Sequence, residues 1–180
     1  MANEQNIAPV FIENATLAFR NFSGVAGRFN QEGNRSFCVE LEKDIAKEME
    51  ANGWNVKYHP LLPDEDEPRA FISVSVKWNH NYPQFNPHII MINSHGKREL
   101  DESNVAILDG AVIANADVAL RAYRWEMNGK TGVKAMLKSL YVTLEEDEFE
   151  RKYASVPDLD LSDGEIPDST MNTTTFAAIK

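Results

Sequence analysis

Residues two apart on a β-strand share a face, so the run Arg121, Tyr123, Trp125 would set a guanidinium, a phenol and an indole side by side. Lys130, Lys134 and Lys138 follow, and Tyr141 closes the series. Cations interleaved with flat aromatic faces have a definite chemistry. The cations follow a phosphate backbone and the rings stack on bases, each stack contributing roughly 1–3 kcal/mol. The pattern recurs as Arg20 with Phe22, Arg28-Phe29, Arg35 with Phe37, Trp54 with Lys57 and Tyr58, Lys77-Trp78 and Arg124-Trp125. It predicts backbone contacts from Arg20, Arg35, Lys57, Lys77, Arg124, Lys130, Lys134 and Lys138. It predicts stacking from Phe22, Trp78, Tyr123, Trp125 and Tyr141. Lys134, Met136 and Lys138 alternate with Val133, Ala135 and Leu137, which makes one face basic and the other apolar. A purely structural reading competes at every aromatic. Phe19, Phe37, Phe71 and Trp54 read more readily as core residues, and strand lysines also guard edges against aggregation.

Catalytic chemistry finds little support. Gly129-Lys130-Thr131 imitates the end of a phosphate-binding loop, but Arg124 stands where that motif needs glycine, and the context is a hairpin tip. His59, His80, His88 and His95 show no helical ligand spacing, and the single cysteine, Cys38, can form neither an internal disulfide nor a cysteine-based zinc site alone. The expectation is a non-enzymatic protein without cofactor or metal. The polar start, with Glu4, does not read as a secretory signal, and no apolar run is long enough for a membrane span. The Asn-x-Ser/Thr triplets at Asn14, Asn21, Asn34 and Asn172 then read as chance, and the expected setting is reducing cytoplasm.

The net charge of −10 argues at first against a polyanionic partner. Its distribution reverses that. Residues 1–144 hold 18 acids and 15 bases, whereas Glu145 to Glu150 holds five acids in six residues. The tail adds Asp158, Asp160, Asp163, Glu165 and Asp168, so the strands are left basic.

The elements that must carry these side chains are mostly strands. Asn14 to Phe22, Arg35 to Leu41, Trp54 to His59, Ala70 to Trp78 and His88 to Asn93 read as strands. Glu42 to Ala51 switches to helical spacing, with Ile45, Ala46 and Met49 inward and Asn52-Gly53 as its stop. Asn79 to Pro87 reads as an aromatic loop, Ser94 to Lys97 as a turn, and Asp101 to Leu108 as a short helix capped by Asp101. Ala111 to Tyr123 is strand-like, and Tyr123 to Thr143 a hairpin about Asn128-Gly129, where both residues tolerate positive φ. Glu145 to Tyr153 suggests a short charged helix. About eight short strands and one inserted helix predict a β-rich, OB-like (oligonucleotide/oligosaccharide-binding) antiparallel barrel. The expected division is a flexible N-terminus over 1–12, the OB-like domain over 13–154 and a disordered acidic tail over 155–180.

Several stretches together resemble a family of phage-encoded single-stranded DNA-binding proteins. They are NATLAFRNFSG (14–24), NRSFCVEL (34–41), NGWNVK (52–57), INSHGK (92–97), LDGAVIANADVAL (108–120) and YRWEMNGKTGVKAMLKSLYVTLEEDEFERKYA (123–154). The resemblance implies a non-catalytic protein that coats single-stranded DNA on an OB-like fold during phage replication or recombination, in the cytoplasm of an infected bacterium. Two departures stand out. The segment NHNYPQFNPH (79–88) is longer and more aromatic than the pattern, and Arg121-Ala122 stand where Asn-Pro is expected. The tail then becomes a docking peptide for replication or recombination proteins through Asp163, Glu165, Ile166 and Asp168, or a mere solubiliser. Two alternatives remain: a protein-interaction module acting as an acidic DNA mimic or host-enzyme inhibitor, and a single-strand annealing protein. The sequence leaves oligomeric state open, a homodimer included.

Overall fold

The computed structural model describes residues 6–159. The strands are β1 (Val10–Ile12), β2 (Leu17–Asn21), β3 (Arg35–Leu41), β4 (Val56–Tyr58), β5 (Ala70–Val76), β6 (His88–Asn93), β7 (Gly96–Leu100), β8 (Ile113–Met127) and β9 (Lys130–Leu144). Helix α1 (Lys43–Ala51) lies between β3 and β4, and α2 (Glu148–Tyr153) follows β9. Two 3₁₀ turns, Pro83–Phe85 and Val105–Asp109, complete the described elements.

The strands form one bent sheet in the order β1-β8-β9-β5-β3-β2. The two ends of that order, β1 and β2, are consecutive in the chain. The link between them is tied to both sides: the Ala15 N–H donates to the Ala116 carbonyl at 2.7 Å, and the Glu40 N–H to that of Thr16 at 3.1 Å. With β1 and β2 counted as one bent strand, the ring runs β1/β2-β3-β5-β9-β8, which is the five-strand OB connectivity. The sheet is mixed rather than wholly antiparallel, since β9 runs parallel to β5 and to β6. An odd number of strands around a ring cannot alternate direction throughout, so one parallel seam is forced.

Local chemistry explains most elements. Alternation in β5 buries Ala70, Ile72, Val74 and Val76 and turns Phe71, Ser73 and Ser75 outward. In α1 the buried residues are Ala46 and Met49, and the chain leaves the helix through Gly53 at φ 88°. Asn128 and Gly129 take φ 54° and 73°, the left-handed pair of a type I′ hairpin, joining two fifteen-residue strands. Gly129-Lys130-Thr131 therefore belongs to a hairpin with no helix after it. Asp147 caps α2 in a reciprocal box with Glu150, at 2.8 and 3.0 Å.

Three segments differ from expectation. Val10–Ile12, assigned to a flexible N-terminus, pair with Val118–Leu120 as β1, because Ile12 has the core to fill. Gly96–Leu100, of which Gly96 and Lys97 were expected in a turn, is an edge strand whose Lys97, Arg98 and Glu99 stay exposed and discourage further pairing. The turn at 101–109 is 3₁₀ rather than α-helical and begins later, although Val105 and Leu108 are fully buried as expected. The tail residues Asp163, Glu165, Ile166 and Asp168 lie outside the described residues.

Candidate nucleic-acid interface

The outward face of the barrel is set by register. Ser36 pairs with Ser75, Ser75 with Met136, and Met136 with Arg121, so one row crosses β3, β5, β9 and β8 on a single side. Tyr123 pairs with Lys134 and Trp125 with Gly132, which extends that side along the hairpin arm. The predicted run Arg121, Tyr123, Trp125 thus does share one outward face.

Beyond Ala135 the arm parts from β5 toward its tip, and the segment around Trp54 fills the fork. Trp54 bridges to Val133 on the arm while β4 pairs with β5. The fork holds a pocket of about 200 Å³, lined by Asn55, Lys57, Ser73, Ser75, Trp125 and Lys134 over Val133 and Ala135. Two hydroxyls, an amide, an indole and two amines thus meet at one place.

Trp125 is held there by the absence of a side chain. A Cβ at Gly132 would come within 2.6–2.8 Å of indole atoms, so the ring lies directly on the glycine backbone of the neighbouring strand. It remains 39% exposed, and Tyr123 beside it 57%. Cys38 also opens onto this face, near Lys57 and hydrogen-bonded with Ser73. Burial raises its thiol pKa, with Lys57 and the Ser73 hydrogen bond opposing. Beyond Lys57 the face becomes acidic: Glu40 pairs with His59 at 2.8 Å, and the imidazole stacks on Phe71 at 4.3 Å.

The remaining predicted residues divide. Lys77 is exposed after β5, and Lys130 is exposed beside the hairpin turn. Arg124 is exposed on the arm, alternating with Tyr123 and Trp125 and so projecting to the other side. Lys138 sits at a register shift opposite Ala119 and Leu120, with its ammonium 5.8 Å from the ring centre of Phe11 on β1. Tyr141 is exposed near the far end of β9, seven residues from Lys134, opposite Asp117.

Four of the predicted residues are engaged within the fold instead. Phe22 is fully buried and stacked on Phe37, ring centres 5.2 Å apart, so it has no face for a base. The Arg20 guanidinium donates to the Leu108 and Ala111 carbonyls at 2.8 and 2.7 Å, tying β2 to the 3₁₀ turn. Arg35 pairs with Glu102 at 3.2 Å and lies over half-buried Trp78, 5.5 Å from its ring centre, so both are engaged with each other at the barrel's end. Asn55, Ser73, Ser75 and Gly132 were missed by sequence reasoning. Only Gly132, a glycine inside a strand run, carried a signal of close approach.

A basic-aromatic arm thus forks from an OB-type barrel, with a pocket in the fork. Residues 2–177 match the family described as "Putative phage ssDNA-binding domain", and the chain belongs to it. No curated protein matches the chain. Among solved structures, it is similar to the single-stranded DNA-binding protein from bacteriophage Enc34 in complex with ssDNA, at 14% identity over 78% of this chain and 89% of that one, TM-score 0.49. The same protein alone gives 14% identity over 87% and 89%, TM-score 0.49. The bacteriophage T7 single-stranded DNA-binding protein gp2.5 gives 12% identity over 89% and 100%, TM-score 0.35. Among the described residues no helix is long and apolar enough to cross a membrane, and no three His, Cys, Asp or Glu side chains group as metal ligands.

Proposed function

We propose that this chain binds single-stranded DNA, without catalysis and with little sequence preference, on the outward face that runs from the fork pocket along β8. The observation that carries this reading is the Trp125 indole laid on Gly132 in a pocket that Lys57 and Lys134 also line. A solvent-facing ring beside two amines offers stacking and phosphate neutralisation in one place. Spacing favours a single strand over a duplex. Successive outward residues of β8 are about 6.8 Å apart, twice the ~3.4 Å rise between stacked bases. A strand matched to Trp125, Tyr123 and Arg121 has to be extended and unstacked, which a duplex cannot be.

In this reading Trp125 and Tyr123 stack on bases, and Lys57, Lys134, Lys130 and Lys77 neutralise phosphates. The serine wall accepts any base edge without selecting one. The setting is replication or recombination of phage DNA in the cytoplasm of an infected bacterium. The acidic residues after Ala154 then recruit other replication or recombination proteins.

The test is fluorescence anisotropy with a labelled oligo-dT of roughly thirty bases and its duplex counterpart at two salt concentrations. Preferential, salt-sensitive binding to the single strand is expected. Equal affinity for the duplex, or no binding at tens of micromolar protein, would sink the proposal. Deleting residues 155–180 separates it from the acidic-mimic alternative, since a DNA binder keeps or gains DNA affinity without the tail. A complementary-strand annealing assay decides whether the chain also anneals.

A further inference from the structure

The aromatic loop between β5 and β6 folds back onto the end of the β8 face. The ring centre of Phe85 lies 5.1 Å from the Arg121 guanidinium, the last member of the Trp125, Tyr123, Arg121 series. Phe85 nevertheless stays 53% exposed and Tyr82 56%. The loop is held in a shape that keeps them there rather than letting them collapse onto the core. The Asn79 side-chain oxygen accepts from the Asn81 and Tyr82 N–H groups at 2.9 and 3.2 Å. The Asn79 N–H donates to the Asn86 side-chain oxygen at 2.6 Å, closing the loop at its base. Pro83 starts the 3₁₀ turn that carries Phe85, and Pro87 follows it. The loop backbone that carries both rings is therefore braced before any ligand arrives, which lowers the entropy lost on binding.

We infer that Phe85, with Tyr82 beside it, is an additional base-stacking platform, extending the binding face past Arg121 to take one more nucleobase of the same strand. The guanidinium sits against Phe85 and can also reach a phosphate, so ring and cation act on one nucleotide as Trp125 and Lys134 do at the fork. A nucleobase fits better than an aliphatic side chain, because the exposed rings stand beside a cation on a face already lined with cations and aromatics. The inference rests on the single-strand reading above.

Anisotropy with oligo-dT of roughly thirty bases on the full chain tests it, with four variants and the wild type compared. Phe85→Ala and Phe85→Leu are each expected to weaken binding on the order of tenfold at unchanged melting temperature, while Phe85→Tyr binds as the wild type does. Leucine keeps apolar bulk and removes the π face, so wild-type affinity in Phe85→Leu would overturn the inference even if the alanine variant misfolds. Trp125→Ala separates the two readings. If it weakens binding and Phe85→Leu does not, only the added platform fails; if the wild type itself ignores single strands, the proposed function fails with it. Photocrosslinking to an iodouracil-containing oligonucleotide gives an independent readout. Adducts on the 79–87 peptide support the platform, and adducts confined to the hairpin arm overturn it.

Discussion

The start of the barrel and the hairpin arm carry nearly the same sequence device and use it in opposite ways. Arg20-x-Phe22 and Arg35-x-Phe37 look like Arg121-x-Tyr123-x-Trp125, a cation two residues before an aromatic. In the first two the rings meet in the core, and the guanidiniums hold backbone carbonyls or Glu102. In the third the rings look outward beside Lys134. The difference is the phase of the strand relative to the barrel interior. Alternation states which residues share a face, but whether that face is inside depends on neighbours far away in sequence.

The largest effect expected from breaking this contrast is on the core side. Phe22→Ala should destabilise the fold by roughly 3–5 kcal/mol, read by denaturant unfolding, through lost burial and the cavity against Phe37. A mild loss of stability with a large loss of DNA affinity would instead return Phe22 to the interface. Arg20→Met should cost about 1.5–3 kcal/mol of stability, since two carbonyls lose a charged donor, with DNA affinity of the folded fraction unchanged.

On the arm the balance should invert. Trp125→Ala is expected to lose roughly 1–3 kcal/mol of single-strand affinity at near-native melting temperature. Gly132→Ala should reproduce part of that loss without touching the ring's chemistry, because its methyl displaces the indole. Wild-type binding by the glycine variant would mean the ring's placement on β9 is irrelevant. Replacing Lys57 and Lys134 together should lower the salt slope of log K by about 1.4, close to 0.7 for each phosphate no longer neutralised. Replacing Arg35 in the same assay should leave the slope where it was.

The smallest effect is at Cys38. Burial raises the thiol pKa, so less of the reactive thiolate is present at a given pH, and alkylation should be slow near pH 7 and quicken as pH rises. Saturating oligo-dT should slow it further if the strand crosses the Ser73–Ser75 wall. Unchanged labelling with bound DNA would place the strand elsewhere on the barrel.

Much of this molecule was legible along the chain. The alternation of β3 and β5, the helical spacing of α1, the stop at Asn52-Gly53 and the turn at Asn128-Gly129 are local patterns, and the structure realises each of them. Short stretches spread from Asn14 to Ala154 also pointed to the family that residues 2–177 match. Their shared limit is that local periodicity determines secondary structure and the grouping of side chains by face, and nothing further. Tertiary structure alone decided that Phe22 is inside and Trp125 outside, that Arg20 and Arg35 are engaged within the fold, and that the segment after α1 wedges between β5 and the arm. It also brought Asn55, Ser73, Ser75 and Lys134 to one pocket and laid Phe85 on Arg121. Each of these is a meeting of residues remote in sequence, set by how an odd ring of strands closes, and no spacing within a single strand encodes that closure.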